Sequence, residues 1–395
     1  MACQTGFRSN RFSGFRLLYD KPLKRLLYVV LAQTTVLKDG ANEMRTVELK
    51  IEDIAFGGKG VARENGKAVF IPFTIDGESV IAKITREKKQ FAEAEIVEIR
   101  EPSPQRVQAP CPYFGTCGGC AYQHVAYAHQ LEIKSRQVRD VLRRIGKLKD
   151  VPMRAIVPSP QEYNYRNRVT VHAENGIVGY FQRDSHRLID VERCPIAMDE
   201  VNRELAELRS HDVPDGHYTL RARSGPRVFS QTNDEVASVL RELIVQSIPA
   251  NQALLVDCFC GAGFFAKALL EKFERVIGID WDRFAIAAAK EKATEKETYL
   301  AGDVATELYG TLEQCDLDRT FLIADPPATG LSPAIRRTIV DFAPANLSYV
   351  SCNPATLARD LAELEWRFRI ESITPLDMFP QTAEIEVLAE LRRRD

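Results

Sequence analysis

Cys111, Cys117 and Cys120 stand within the ten residues CPYFGTCGGC. Thiolates at such spacing are ligands for a soft metal, and with a fourth sulfur they suit either zinc or an iron–sulfur cluster. A separate candidate is Cys352 in SYVSCNPATLARDL, which follows an apolar run and precedes Asn353-Pro354, a helix start. A lone cysteine is ordinarily a small buried apolar residue. At a strand-to-helix turn, however, its thiol is expected to feel the positive end of the helix dipole, which lowers its pKa.

A third group is organised by glycine. DCFCGAGFFA (257–266) runs from an apolar strand through Gly261 and Gly263 into a helix, a turn that lets a nucleotide approach the backbone. Asp280 ends the next apolar run, RVIGID, where a carboxylate accepts hydrogen bonds from ribose hydroxyls. NAD and S-adenosylmethionine share that ribose, so this motif alone leaves both open. ADPPATG (324–330) follows a further strand and sets Asp325 beside the same crevice, which favours the methyl donor. Asp303 in AGDV falls where such folds meet adenine. Ala328 after the Pro-Pro pair lacks the aromatic ring that stacks on amine targets, and this points to a carbon target instead.

These residues require several elements to position them. A chain of 395 residues exceeds one compact core, and its 45% hydrophobic and 27% charged composition is that of a globular protein. From residue 44 to about 102, short alternating runs with turns read as a small barrel of the OB type, a fold that binds oligonucleotides. A helix follows, with Leu131, Ser135, Val138, Leu142 and Ile145 at helical spacing and Gly146 as its C′ residue. Arg136, Arg139 and Arg143 form a second stripe on it, suited to phosphate contacts. Residues 151–230 read as β-rich, turning at Glu174-Asn175-Gly176. From about 231 strands alternate with helices, the pattern of a doubly wound sheet, with helices expected over 264–273 and 283–296.

Charge supports this division. The net charge is −2, but seven Lys or Arg face two acids between Glu132 and Lys149, followed by Arg166, Arg168, Arg183, Arg187, Arg221, Arg223 and Arg227. A basic middle inside a neutral total is a local anion-binding face. Nine cysteines, odd in number and clustered, argue against a secreted disulfide framework. No run approaches the roughly 20 apolar residues of a membrane span, so no membrane partner is expected. The apolar run LLYVVLA (26–32) behind basic residues mimics a signal peptide but is short and lacks a clean cleavage motif. Residues 1–43 are therefore read as an extension upstream of a working start at Met44. A cytoplasmic monomer is expected.

Five separated signatures, CPYFGTCGGC, FSQTN (229–233), DCFCGAG, DPPATG and SCNPATLARD, make residues 44–395 resemble the RNA uracil-C5 methyltransferases. Within that family the chain resembles the 23S rRNA enzymes with an N-terminal TRAM domain and an iron–sulfur cluster. The resemblance implies a multidomain α/β chain: a TRAM barrel (44–102), a central RNA-binding domain with the cluster (103–228) and a Rossmann-like S-adenosylmethionine domain (229–395). It implies Cys352 as nucleophile and Glu386, in FPQTAEIEVL, as general base. Gln231, Phe259, Gly261, Gly263, Asp280, Asp303 and Asp325 would hold the donor. Cys194, before Pro195, would join Cys111, Cys117 and Cys120 around a structural [4Fe–4S] cluster, and the first cysteine gap is too long for radical S-adenosylmethionine chemistry. Relatives with both features mostly act on 23S rRNA, so rRNA is favoured over tRNA. Two departures stand out: Ala328 where the family usually has Arg, and Phe264 where it usually has a polar residue. They leave a catalytically impaired RNA binder as the rival reading.

Overall fold

The structure, a computed structural model, describes residues 45–222 and 231–395. The expectations for residues 1–44, for Arg223 and Arg227, for the 228/229 boundary and for the first two residues of FSQTN lie outside the described residues. Met44–Asp395 form one compact unit.

Six short strands come first: β1 (Thr46–Lys50), β2 (Asp53–Ile54), β3 (Lys59–Glu64), β4 (Lys67–Pro72), β5 (Ser79–Glu87) and β6 (Phe91–Glu101). They pair in the order β1-β5-β6-β4-β3-β2, and β1 also packs against β3, so the sheet curls toward the expected barrel. Its core of Ile51, Ala62, Val69, Ile71 and Val80 continues into Tyr122 and Ile133, which lie beyond the last strand. The barrel is thus closed off by the cysteine segment and the helix that follows.

That helix, α1 (Tyr127–Arg144), buries Gln130, Ile133, Lys134, Gln137, Val138 and Leu142. The expected stripe holds only at Val138 and Leu142; Ile145 is exposed, and the inner face is half polar because its partners are polar. Lys134 Nζ donates to Asp377 Oδ1 at 2.6 Å with both side chains fully buried. Arg136 is engaged with Asp53 and Asp76 of the barrel, which takes it out of the expected phosphate stripe. Gly146 is needed for a reason other than the one expected. A Cβ there would lie 2.8 Å from the Ala358 carbonyl oxygen, whereas the left-handed residue is Lys147.

The central sheet contains β7 (Arg168–Glu174), β8 (Ile177–Phe181), β9 (Leu188–Asp190) and β10 (Gly216–Arg221) in the order β10-β7-β8-β9. Asn175 and Gly176, both with positive φ, close the β7–β8 hairpin where expected. Helix α2 (Asp199–Arg209) buries Val201 and Leu205 against Val169, Val171, Ala173 and Leu220.

The last region opens with α3 (Asp234–Ser247) and then alternates β11 (Leu254–Cys258), α4 (Phe264–Leu269), β12 (Arg275–Asp280), α5 (Arg283–Lys290), β13 (Glu297–Ala301), α6 (Val304–Leu312), β14 (Thr320–Ala324), α7 (Pro333–Phe342), β15 (Asn346–Ser351) and α8 (Pro354–Leu364). It closes on β16 (Phe368–Leu376) and β17 (Glu386–Arg393). Seven strands form one sheet, β13-β12-β11-β14-β15-β17-β16, with β17 antiparallel to both neighbours. The helices expected over 264–273 and 283–296 end sooner, at Leu269 before a short 3-10 turn and at Lys290. Among the described residues no helix is long and apolar enough to cross a membrane.

Candidate functional site

The carboxyl ends of the parallel strands meet where the strand order reverses, between β11 and β14, the place where doubly wound sheets hold ligands. At the end of β11 the chain turns through Phe259 (φ 64°), Gly261 (φ 54°) and Gly263 (φ 86°). Space beside Gly261 is open to 4 Å, the cradle that close backbone approach by a ligand needs. Asp280 Oδ2 accepts the Gly261 N–H at 2.9 Å and its Oδ1 accepts the Asp282 N–H at 2.8 Å, so the carboxylate fixes the turn while ending β12. Gln231 Nε2 donates to Asp325 Oδ2 at 3.1 Å. A small cavity of about 20 Å³ lies among Gln231, Phe259, Gly261, Phe264 and Asp325. The ring of Phe264 narrows it, resting edge-on against Phe265 at 4.8 Å, with the Arg241 guanidinium 5.1 Å from its centre. Asp303 is exposed and caps α6, accepting from Thr306 N at 3.0 Å.

Cys352 and Glu386 come together by register. Ser351 at the end of β15 pairs with Val387 of β17, so the next residue on one strand faces the previous residue on the other. Glu386 is buried, its Oε1 has no hydrogen-bond partner, and burial with the Asp325 and Glu384 carboxylates lifts its pKa well above the ordinary value. Burial also raises Asp325 to about 7, against the opposing bond from Gln231. For Cys352 the expected helix-dipole effect does not prevail. Burial first, then Glu386, Asp325 and Glu384, push the thiol up to about 12. The sequence suggested only the helix; the carboxylates arrive from strands that are neighbours in space alone.

The two departures differ in consequence. Ala328 offers its carbonyl oxygen to Asn353 Nδ2 at 3.0 Å and Thr356 Oγ1 at 3.1 Å, bonds that do not depend on its side chain. The DPPATG loop therefore stays tied to the SCNPAT turn. Phe264, by contrast, lines the small cavity beside Gly261 and Asp325.

Cys111, Cys117, Cys120 and Cys194 line a single cavity of about 280 Å³ with Tyr113, Phe114 and Ile196. Cys194 is held by Asn202, whose Oδ1 accepts its N–H at 2.8 Å. Burial raises the pKa of Cys111 and Cys117, and that of Cys120 to about 12. Among the described residues, no three His, Cys, Asp or Glu are drawn together tightly enough to hold one metal ion. The sequence reading passed over several other residues: Asp257, fully buried behind the glycine turn; the Lys134–Asp377 pair; and Gln381, five residues before Glu386. Only the acid in DCFCGAG carried a visible signal.

Comparison with known proteins agrees with this fold. A TRAM-domain family model matches residues 41–97, and one for tRNA (Uracil-5-)-methyltransferase matches residues 307–394. An uncharacterized RNA methyltransferase of Bdellovibrio bacteriovorus is 31% identical over 376 residues, covering 88% of this chain and 95% of that protein. One from Halalkalibacterium halodurans is 30% identical, covering 90% of this chain and 98% of its own length. Among solved structures, the tRNA (uracil-54, C5)-methyltransferase of Pyrococcus abyssi with S-adenosyl-L-homocysteine shares the fold. Its TM-score is 0.66 at 22% identity, over 87% of this chain and 100% of that one.

Proposed function

The chain belongs to the family of S-adenosylmethionine-dependent RNA (uracil-C5) methyltransferases, and on that footing we propose that it methylates C5 of a uridine in 23S rRNA through a covalent bond from Cys352 to C6. The observation that carries the mechanism is the register that sets Cys352 opposite Glu386 at the rim of the donor crevice. Bound S-adenosylmethionine supplies an electrophilic methyl group on a sulfonium. The open cradle at Gly261, with Asp280 and Gln231–Asp325 around it, fits such a group.

Uracil C5 is a weak nucleophile. Addition of the Cys352 sulfur to C6 turns C5 into the carbon of an enolate, which takes the methyl. Glu386, which must be ionised for this step, then removes the C5 proton, the C5–C6 double bond re-forms, and the C6–S bond breaks to release Cys352. A thiol near 12 is almost wholly protonated at neutral pH, so its proton must leave as attack begins. The target base must leave its stack to reach this rim.

The four cysteines support a [4Fe–4S] cluster as a structural group. A water needs roughly 10–15 Å³ of such space, so a sulfur-lined cavity of about 280 Å³ has room for far more than one ion. The preference for rRNA rests on the barrel and the cysteine set occurring together. The enzyme would act as a cytoplasmic monomer.

The test is a denaturant-resistant adduct. Glu386→Gln should trap protein on RNA in the presence of donor, and Cys352→Ala should abolish both adduct and transfer. A Cys352→Ala protein that methylates normally would end the mechanism. Nucleoside mapping of rRNA and tRNA from a deletion strain decides the substrate.

A further inference from the structure

Asn167, in YNYRNRVTVH, stands one residue before β7 and is buried, 5% exposed. Its donors all go to one short stretch, the loop Gln231-Thr232-Asn233 and the first residue of α3. The backbone N–H donates to the Thr232 carbonyl at 3.0 Å. Nδ2 donates to the Gln231 carbonyl at 2.9 Å and to Asp234 Oδ1 at 2.7 Å. Two acceptors on one side fix the amide with its nitrogen toward the loop, and among the described residues its Oδ1 has no partner. The Asn167 carbonyl accepts the Ala222 N–H at 2.8 Å, just past β10. The head of the β7–β10 pair is thereby tied to the loop.

The loop leads into the donor crevice. Gln231 lines the small cavity beside Gly261 and Phe264, and its Nε2 donates to Asp325 Oδ2 at 3.1 Å. A glutamine side chain turns about several bonds and loses entropy when it is ordered, so its aim depends on a fixed backbone beneath it. The helix end of the loop has its own anchors. Asn233 Oδ1 caps α3 by accepting the Val236 N–H at 3.3 Å, and its Nδ2 donates to Ser159 Oγ at 3.0 Å. The Gln231 carbonyl lies ahead of those anchors and is held by Asn167. An aspartate of the same size would set a carboxylate against that carbonyl and against Asp234, and an apolar side chain would leave the carbonyl without its donor.

We propose that Asn167 is a positioning residue for the methyl donor: through its amide the central region fixes Gln231 and so sets how tightly the crevice holds S-adenosylmethionine. The proposal rests on the methyltransferase reading and deepens it, since it assigns part of the donor affinity to a residue outside the α/β region that acts through Gln231.

The test is a double-mutant cycle on the full chain, read by calorimetric binding of S-adenosyl-L-homocysteine. Asn167→Ala should raise Kd about tenfold, the size of one hydrogen bond lost. Gln231→Ala should raise it at least as much, and in that background Asn167→Ala should add nothing, because its route to the donor is gone. Asn167→Asp keeps the side-chain volume and removes both amide donors, so it should match Asn167→Ala. RNA affinity measured without donor should stay at the wild-type value for all three single variants, which separates positioning from misfolding. The proposal is overturned if both Asn167 variants bind the probe as wild type does. It is equally overturned if the two effects multiply in the double variant, which would mean that Asn167 acts through α3 or through general stability, or if RNA affinity falls in step. A wild type that does not bind the probe removes the donor site and the proposal together. A wild type that shows the expected pattern yet transfers no methyl to any uridine leaves the positioning role intact and ends the enzymatic reading.

Discussion

Asp257 offers a test of how far the site is built at the expense of stability. The residue is fully buried on β11; its Oδ2 accepts the Ala266 N–H at 2.9 Å and its Oδ1 has no partner. Burial, reinforced by the Asp325 and Asp280 carboxylates, lifts it from the ordinary 3.8 to about 8. The folded chain therefore holds this proton more tightly than the unfolded chain. Its stability contribution declines as pH rises from about 3.8 to about 8 and is level beyond. Between about pH 5 and pH 8.5 the loss spans roughly three pH units, an upper bound of about 4 kcal/mol. Asp257→Asn keeps an oxygen for Ala266 and cannot ionise. Relative to wild type it should gain up to that amount at the higher pH and much less at the lower. Urea denaturation at both values reads the difference, and a shift in midpoint of about 1 M or more is expected. Should the gap between variant and wild type be the same at both pH values, the buried-acid account of this turn is wrong.

Two further outcomes are expected. Lys134→Met strands the buried Asp377 carboxylate and should cost about 3–5 kcal/mol in urea unfolding, most of it recovered when Asp377→Leu is added; a double variant as unstable as the single would contradict this. Anaerobically purified protein should be brown with about four irons per chain, and Cys194→Ser should bleach it. A colourless wild type holding one zinc would select the other metal.

How much was legible in the sequence depended on how local the cause was. The strands feeding the glycine turn were readable because parallel strands buried on both faces are nearly continuous apolar runs, as in β11 and β14. The hairpin at Asn175-Gly176 was readable from two residues that accept positive φ. The inner face of α1 was not, because periodicity detects apolar residues and this helix buries Gln130, Lys134 and Gln137. Each has a partner distant in sequence: Lys134 meets a residue 243 positions away. The same limit explains the error at Cys352. The dipole of the following helix is a local inference, whereas the carboxylates that raise the thiol lie just past β14, at the start of β17 and two residues before it.

Distance in sequence also hid the way the cysteine loop and the reaction site are joined. Gln381 is buried in a left-handed conformation, φ 68°, which costs a residue with a Cβ about 1 kcal/mol or more. It is held there from three sides. Its carbonyl accepts the N–H groups of Ala121 and Tyr122 at 3.0 and 2.9 Å, and its own N–H donates to Gln130 Oε1 at 3.1 Å. Gln130 Nε2 donates in turn to Gln381 Oε1 at 2.9 Å. Ala121 directly follows Cys120, and Gln381 precedes Glu386 by five residues. One buried amide therefore fixes the end of the cysteine loop, the first turns of α1 and the approach to the carboxylate that faces Cys352. A group that orders the cysteine loop has no need to exchange electrons to affect methyl transfer, because the backbone it orders is hydrogen-bonded to the segment that leads to Glu386.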